Sequence, residues 1–338
     1  MQPLRWAIVG PGAIAHQFAQ AMATLGRQVA AVGARNRQKG ELFAQRYAIP
    51  RVYDDFSRLF ADPDIDAVYI STPHDSHYGL MKQALTQGKH LLVEKAITVS
   101  SDRLEAINRL AQEKQLIVAE AMTLFYMPLY YRLKALADSG RLGRLKMIQV
   151  SFGAMMEEDP DNRFFNPALA GGALLDIGTY ALSFARFFMS GQPHKVLTTV
   201  NKYHTGVDEQ SVIVLHNPQG EMASLALAFR ARMPARGTVA WENGFLTVDD
   251  FPRAQQASLV WASGETEVIE AGETARALEY EITGLEAWVG QGNNPLHYLT
   301  NDVVAMMSEI RQHWGIRFPF EHESPEADVK ECQTGQVK

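Results

Sequence analysis

The sequence predicts an α/β protein in two parts. The first is a parallel sheet wrapped by helices; the second is an α+β unit with a large, mainly antiparallel, open-faced sheet. Three observations predict this. Short apolar runs alternate with amphipathic stretches through the first third of the chain. After residue 122 the alternation gives way to strand-like runs joined by tight turns. The length of 338 residues, with 46% hydrophobic and 21% charged content, suits about two soluble domains.

In the first part, strands are expected at 5–9, 28–33, 67–71, 90–93 and 116–119, with helices near 13–25, 37–47, 76–87 and 100–114. Asp102 followed by Glu105 resembles a helix start. Val- and Ile-rich strands each followed by a helix argue for a parallel sheet covered on both faces. In the second part a helix is expected at 128–137, and strands at 146–152, 195–203, 211–216, 222–228, 238–241, 245–248, 258–262 and 267–269. Asn217-Pro-Gln-Gly220 and Glu242-Asn-Gly244 read as turns between them. A buried helix spans the apolar stretch 171–188, and an amphipathic one spans 296–311. The domains are thus placed at 1–122 and 123–320, with a polar, disordered tail expected over 321–338.

The net charge of −6 offers no basic surface for nucleic acid. The single cysteine, Cys332, can build neither a disulfide framework nor a thiolate metal site. The ten histidines show no ligand spacing on a helix, so no metal is expected. The N-terminus reads as a short strand rather than a signal peptide, and no stretch approaches a membrane span, so a cytoplasmic protein is expected.

Gly10-Pro-Gly12-Ala13-Ile14-Ala15 follows the first strand and opens the first helix. It fits the fingerprint of a dinucleotide-binding Rossmann domain. The first glycine permits the tight turn, and the second lets the backbone approach a pyrophosphate at the helix N-terminus. At the end of the second strand, Val32-Gly33-Ala34-Arg35-Asn36-Arg37 carries no carboxylate to hold a ribose 2′-hydroxyl. Arg35 can instead pair with a 2′-phosphate, which predicts NADP over NAD.

Ligands of an open parallel sheet bind beyond the C-terminal ends of its strands. Two loops there carry distinctive residues: Ser71-Thr72-Pro73-His74-Asp75-Ser76-His77, and Glu94-Lys95. Ser71, Thr72, Pro73, His77, Glu94 and Lys95 are therefore candidate cofactor contacts. In the second part, Asp176 and Tyr180 lie four apart in an otherwise almost wholly apolar helix, which puts both on one face. A carboxylate buried there without a partner would cost roughly 2 kcal/mol or more, so Asp176 requires a donor or a cation.

These residues also carry a family likeness. The chain resembles the glucose–fructose oxidoreductase / inositol dehydrogenase (Gfo/Idh/MocA) family over nearly its whole length. The likeness rests on Gly10–Ala15, Tyr53-Asp-Asp-Phe56, Asp62-Pro-Asp-Ile-Asp66-Ala-Val-Tyr-Ile70, Ser71-Thr-Pro73 with His77, Glu94-Lys95, Glu120-Ala121 and Gly171-Gly172-Ala-Leu-Leu-Asp176-Ile-Gly-Thr-Tyr180. A tyrosine at 180 resembles the dimeric dihydrodiol dehydrogenase, xylose dehydrogenase and glucose–fructose oxidoreductase branch. Two departures stand out. Ala96 replaces the proline after Glu-Lys, and Met122-Thr123-Leu124-Phe125-Tyr126 lacks the Trp and Arg that this branch often carries.

The resemblance implies that Lys95, Asp176 and Tyr180 form the catalytic set beside the nicotinamide. Tyr180 would exchange a proton with the substrate oxygen, its pKa lowered from about 10 by the Lys95 ammonium. Asp176 would bind Lys95 or a substrate hydroxyl. The implied substrate is a sugar, a polyol or a cyclic diol or ketone, with walls near Phe152, Arg163–Asn166 and His297–Tyr298. Two other readings stay open: a non-catalytic dinucleotide-binding sensor, and a reductase of another substrate type. An open-faced sheet predicts a homodimer or higher homo-oligomer.

Overall fold

The structure, a computed structural model, describes residues 3–322. The expected strand-and-helix alternation is present from β1 (Trp6–Val9), α1 (Ala13–Thr24), β2 (Val29–Gly33) and α2 (Arg37–Tyr47) onward. It continues through β4 (Ala67–Ile70), α4 (His74–Thr86), β5 (His90–Glu94), α5 (Ser101–Lys114) and β6 (Val118–Ala121). Between α2 and β4 lie a short β3 (Arg51–Tyr53) and α3 (Phe56–Ala61), which the sequence reading passes over. Local chemistry sets the helix starts. Asn36, Asp55 and Ser100 cap α2, α3 and α5 by accepting from the N–H of Lys39, Ser57 and Arg103.

The six strands form one parallel sheet in the order β3-β2-β1-β4-β5-β6. Every residue of β1 and β4 is buried, as apolar strands covered on both faces must be. The chain reverses its direction of winding between β1 and β4. This opens a crevice beyond their C-terminal ends, where Gly10 and Ser71 emerge.

The second part begins with α6 (Pro128–Asp138) and builds an eight-stranded sheet. Its strands are β7 (Leu145–Ala154), β8 (Lys195–Lys202), β9 (Asp208–His216), β10 (Met222–Phe229), β11 (Met233–Trp241), β12 (Gly244–Asp249), β13 (Gln256–Trp261) and β14 (Thr266–Glu270). The order is β14-β13-β12-β11-β7-β10-β9-β8, antiparallel except that β7 and β10 run parallel. Burial alternates along the strands: Ile148, Val150, Ile213, Leu215 and Leu225 face inward. Their neighbours Met147, Leu197, Val212, Met222, Phe245 and Val268 are exposed large apolar residues.

A helical segment covers the inner face. It starts as a π-helical stretch, Leu174–Gly178, and continues as α7 (Thr179–Phe188). A single α-helix over 171–188 is therefore corrected: Asp176 lies on the π stretch and Tyr180 on the α-helix. The expectation that no stretch approaches a membrane span is corrected as well. Pro167–Phe188 is long and apolar enough by composition, but 83% of its apolar window is buried inside the protein.

The sequence reading has no counterpart for α8 (Ala277–Gln291), which precedes α9 (His297–Trp314). Both return to the first part. Glu286 of α8 accepts from Trp6 Nε1 at 3.2 Å and pairs with Arg27 at 2.8 Å. In α9, Asn301 accepts from Asn108 Nδ2 at 2.9 Å and Arg311 donates to Val99 O at 2.6 Å. The tail does not begin at 321. Glu321 pairs with Arg311 at 2.7 Å and accepts from Phe318 N at 2.7 Å. The rest of the expected tail, with Cys332, lies outside the described residues.

Candidate active site

The crevice holds a cavity of about 450 Å3, within the usual size of small-molecule sites. Its floor is the β1–α1 turn. Gly10 has φ +93°, and a Cβ there would lie 2.8 Å from Thr72 Cγ2, so the position requires glycine. Ser71 Oγ donates to Gly10 O at 2.8 Å, fastening the two loops together. At Gly12 a Cβ would meet nothing closer than Ser71 O at 4.0 Å, so this glycine faces open space. No side chain caps α1. The free N–H groups of its first turn thus face the cavity at Ala13 and Ile14. An uncapped helix N-terminus beside an unfilled glycine fits a dinucleotide's diphosphate.

The far end holds the polar cluster. Lys95, delivered by β5, donates to Asp176 Oδ1 at 2.9 Å and to the Asp176 carbonyl at 2.7 Å. Its ammonium lies 5.0 Å from the centre of the Tyr180 ring. Arg163 reaches the same Asp176 oxygen at 3.5 Å. Burial pulls the Lys95 pKa down, but Asp176 and then Tyr180 outweigh it, and the ammonium is held above its ordinary value. Burial likewise pushes Asp176 up, and Lys95 followed by Arg163 brings it below the usual carboxylate value. The pair is therefore charged on both sides. Tyr180 behaves differently. Burial raises its hydroxyl to about 12, overcoming the lowering by Lys95. The expected depression of Tyr180 is present as one contribution and is outweighed.

The start of the π stretch is fixed from β9. Asp208 accepts from Leu174 N at 2.6 Å, and Gly172 has φ +123° with its missing Cβ only 2.2 Å from Asp208 Oδ1. Any side chain at 172 would push that carboxylate away and with it the segment bearing Asp176. On the other wall, the Lys95–Ala96 peptide is cis. His74 Nε2 meets its carbonyl at 3.0 Å, and His77 Nδ1 meets Ala96 O at 3.2 Å. Glu120, pushed up to about 7 by burial, accepts from Ile97 N at 3.0 Å.

Among the sequence-predicted residues, Gly12, Ala13, Ile14, Ser71, Thr72, Pro73, Glu94, Lys95 and Tyr180 line the cavity, with Asp176 bound behind Lys95. Gly10 supports the floor. His77 does not line it: its ring is fully buried, with Nε2 2.8 Å from Thr72 O, and it ties the two strand-end loops together. Arg35 stands exposed beyond β2, outside the cavity, near Asp75.

Of the expected walls, Arg163 lines the cavity and Phe152 packs on Tyr180, ring centres 6.4 Å apart. His297 is corrected: it lines a separate cavity of about 410 Å3 with Asn108 and Asn294. Tyr298 is exposed and stacks with Arg186.

Sequence reasoning did not single out Gln17, His74, Thr123, Arg253, Leu278 and Glu281, all of which line the cavity. Gln17 was findable, one helical turn beyond Ala13 on the same face. His74 adjoins Pro73; burial, then His77 and Lys95, push its pKa down to about 3, so it is neutral. Arg253 and Glu281 come from a turn and a helix without local chemical signatures.

Comparison with known proteins agrees with this geometry. The chain is 31% identical over 341 residues to a trans-1,2-dihydrobenzene-1,2-diol dehydrogenase of Bos taurus, covering 94% of this chain and 98% of that one. It is 27% identical over 331 residues to the corresponding enzyme of Xenopus tropicalis, covering 93% and 99%. Among solved structures, a levoglucosan dehydrogenase in complex with NADH and levoglucosan aligns with a TM-score of 0.85 at 17% identity, covering 94% and 100%. A 3-ketoreductase from Actinomadura kijaniata in complex with NADP and TDP-benzene aligns with a TM-score of 0.82 at 21% identity, covering 92% and 98%. These two likenesses concern the fold. Residues 4–122 match the oxidoreductase family with an NAD-binding Rossmann fold, and residues 130–247 match the GFO/IDH/MocA C-terminal domain. With its crevice, its uncapped first helix and its Lys95–Asp176–Tyr180 cluster, the chain belongs to the GFO/IDH/MocA family of oxidoreductases.

Proposed function

We propose that the protein is an NADP-dependent dehydrogenase or reductase of a carbinol carbon in a sugar, a polyol or a cyclic diol. The observation that carries this is the Lys95–Asp176–Tyr180 cluster at the closed end of the nucleotide crevice. The dihydrodiol dehydrogenase relatives, alike over nearly their whole length, support the substrate class.

When bound, the nicotinamide would give up the hydride in reduction and take it up in oxidation. The chain's own residues hold the substrate oxygen and move one proton. In the reducing direction Tyr180, protonated at neutral pH, donates to the carbonyl oxygen. In the oxidising direction it must accept the hydroxyl proton, and the Lys95 ammonium lowers the cost of the phenolate that starts the step. Asp176 keeps Lys95 charged and aimed, and Arg163 reinforces Asp176 from the cavity side. His77 and Glu120 act indirectly, by holding the 95–97 loop.

Arg35 supports the choice of NADP. It follows β2, no carboxylate occupies residues 32–37, and neighbouring Arg37 is already paired with Glu41 and Asp54. NADPH is therefore expected to bind at least about tenfold more tightly than NADH, as one charge-assisted pair allows. Fluorescence titration of the reduced cofactors reads this directly, and tighter NADH binding would reject Arg35 as a phosphate contact.

The exposed Met147, Leu197, Val212, Met222, Phe245 and Val268 share the outer face of the second sheet, and this supports a homodimer through that face. Light scattering should give twice the chain mass. A monomer whose outer-face apolar residues can be replaced by lysine without effect would contradict it.

A further inference from the structure

We propose that Arg253 is the second domain's contact to the cofactor diphosphate, completing from above the cradle that the α1 N-terminus forms from below. The inference rests on the nucleotide-binding reading. Among the described residues, three permanent cations line the cavity: Lys95, Arg163 and Arg253. Lys95 and Arg163 are both directed at Asp176. Arg253 forms no ion pair among the described residues. Its Nη1 donates to Gln17 Oε1 at 3.1 Å, a neutral acceptor on α1 one turn past the free N–H groups of Ala13 and Ile14. A guanidinium one turn from a helix N-terminus, with an amide for its partner, can exchange that amide for an anionic oxygen.

The backbone around Arg253 is fixed, and among the described residues its guanidinium is held by Gln17. Arg253 ends the short 3-10 turn Phe251–Arg253. Thr123 Oγ1 donates to Pro252 O at 2.7 Å, Tyr130 OH to Phe251 O at 2.5 Å, and Thr274 Oγ1 to Arg253 O at 2.9 Å. The turn is thus held by α6, by the segment after β6 and by the approach to α8, and it presents the guanidinium across the interdomain cleft. The carboxyls that share the cavity, Glu94 and Glu281, act on Arg253 through space, and neither forms an ion pair with it. Tyr69 OH donates to Glu94 at 2.5 Å, and burial holds Glu281 well above the usual carboxylate value. A dinucleotide's diphosphate, whose charges a helix N-terminus only partly offsets, matches what Arg253 lacks.

The test is calorimetric titration of the full chain with three probes: NADPH, 2′-phospho-ADP-ribose, which keeps the diphosphate without nicotinamide, and 2′,5′-ADP, which lacks the diphosphate. In Arg253→Gln the Kd should rise about tenfold or more for the first two, and less than about twofold for 2′,5′-ADP. Arg253→Met removes the same charge with a different side chain and should repeat the pattern, so misfolding of one variant leaves the test intact. Unchanged NADPH affinity overturns the proposal. So does a loss confined to NADPH, which would move Arg253 to the nicotinamide end. Wild-type protein that binds none of the three would instead overturn the nucleotide-binding reading on which the proposal rests.

Discussion

Replacing Lys95 by methionine should destabilise the fold and abolish most turnover at once. The substitution keeps the aliphatic stem and removes the ammonium that Asp176 accepts from at 2.9 Å. Asp176 is then a buried carboxylate whose remaining cation, Arg163, is half-exposed and 3.5 Å away. Breaking a buried pair from one side costs on the order of 3 kcal/mol, most of it the unpaired charge. The sign with pH follows. In the wild type Asp176 lies below its ordinary value of 3.8 and Lys95 above its ordinary value of 10.5. The pair's stabilisation is therefore fully present between those values, and is lost as pH falls through the Asp176 pKa or rises through that of Lys95. In the variant Asp176 loses its main lowering influence and rises. The destabilisation should be largest at neutral pH and shrink toward acid, where the carboxyl is neutral. Urea unfolding at two pH values measures it. Recovery of most of the loss in Lys95→Met with Asp176→Leu would identify the unpaired carboxylate as the cause. Wild-type stability in Lys95→Met alone would refute the pairing.

Tyr180→Phe separates chemistry from architecture. The phenol is partly buried beside Phe152 and Lys95, and among the described residues no protein group hydrogen-bonds its oxygen, so its loss leaves packing intact. Fold stability and NADPH affinity should stay near wild type while kcat falls about 10²-fold or more, as for removal of a proton-transfer group. The pH profile carries a second signature. A hydroxyl held at about 12 is protonated across the neutral range. Reduction should therefore show no loss of rate from Tyr180 ionisation until strongly alkaline pH, whereas oxidation should gain rate as pH rises. Unchanged turnover in the variant would remove Tyr180 from the mechanism.

Much of this was legible in the sequence, and the exceptions have physical reasons. The glycine turn, the strand-end loops and the Asp176–Tyr180 spacing report on the backbone and on burial, which local patterns encode. The missing elements are those whose signal is short or mixed. β3 has three residues, all only partly buried, so no alternation can show. In α8, Glu279 and Glu281 are buried with the apolar residues, which breaks the helical stripe. The π stretch at Leu174–Gly178 leaves no mark on a run that is apolar apart from Asp176. Its start depends on Asp208, a residue of a strand more than 30 positions away. His77 lies in the strand-end loop where cofactor contacts are expected, so the sequence points to it as one. Its side chain points instead into the packing between two loops, a direction that depends on how α4 begins. The balance on Tyr180 has a related cause: sequence names the neighbouring cation, but the depth of burial that opposes it comes only from the assembled domains.

The most direct test of the account is steady-state turnover by the intact protein with NADP(H) on a panel of cyclic diols, sugars, polyols and their ketones, followed by the absorbance of the reduced nicotinamide. Substrate-dependent interconversion of NADP and NADPH is expected with at least one neutral carbinol or ketone, falling about 10²-fold or more in Tyr180→Phe. Tight NADPH binding with no turnover on any member of the panel, in wild type and variant alike, would contradict it and leave a nucleotide-binding protein without the chemistry.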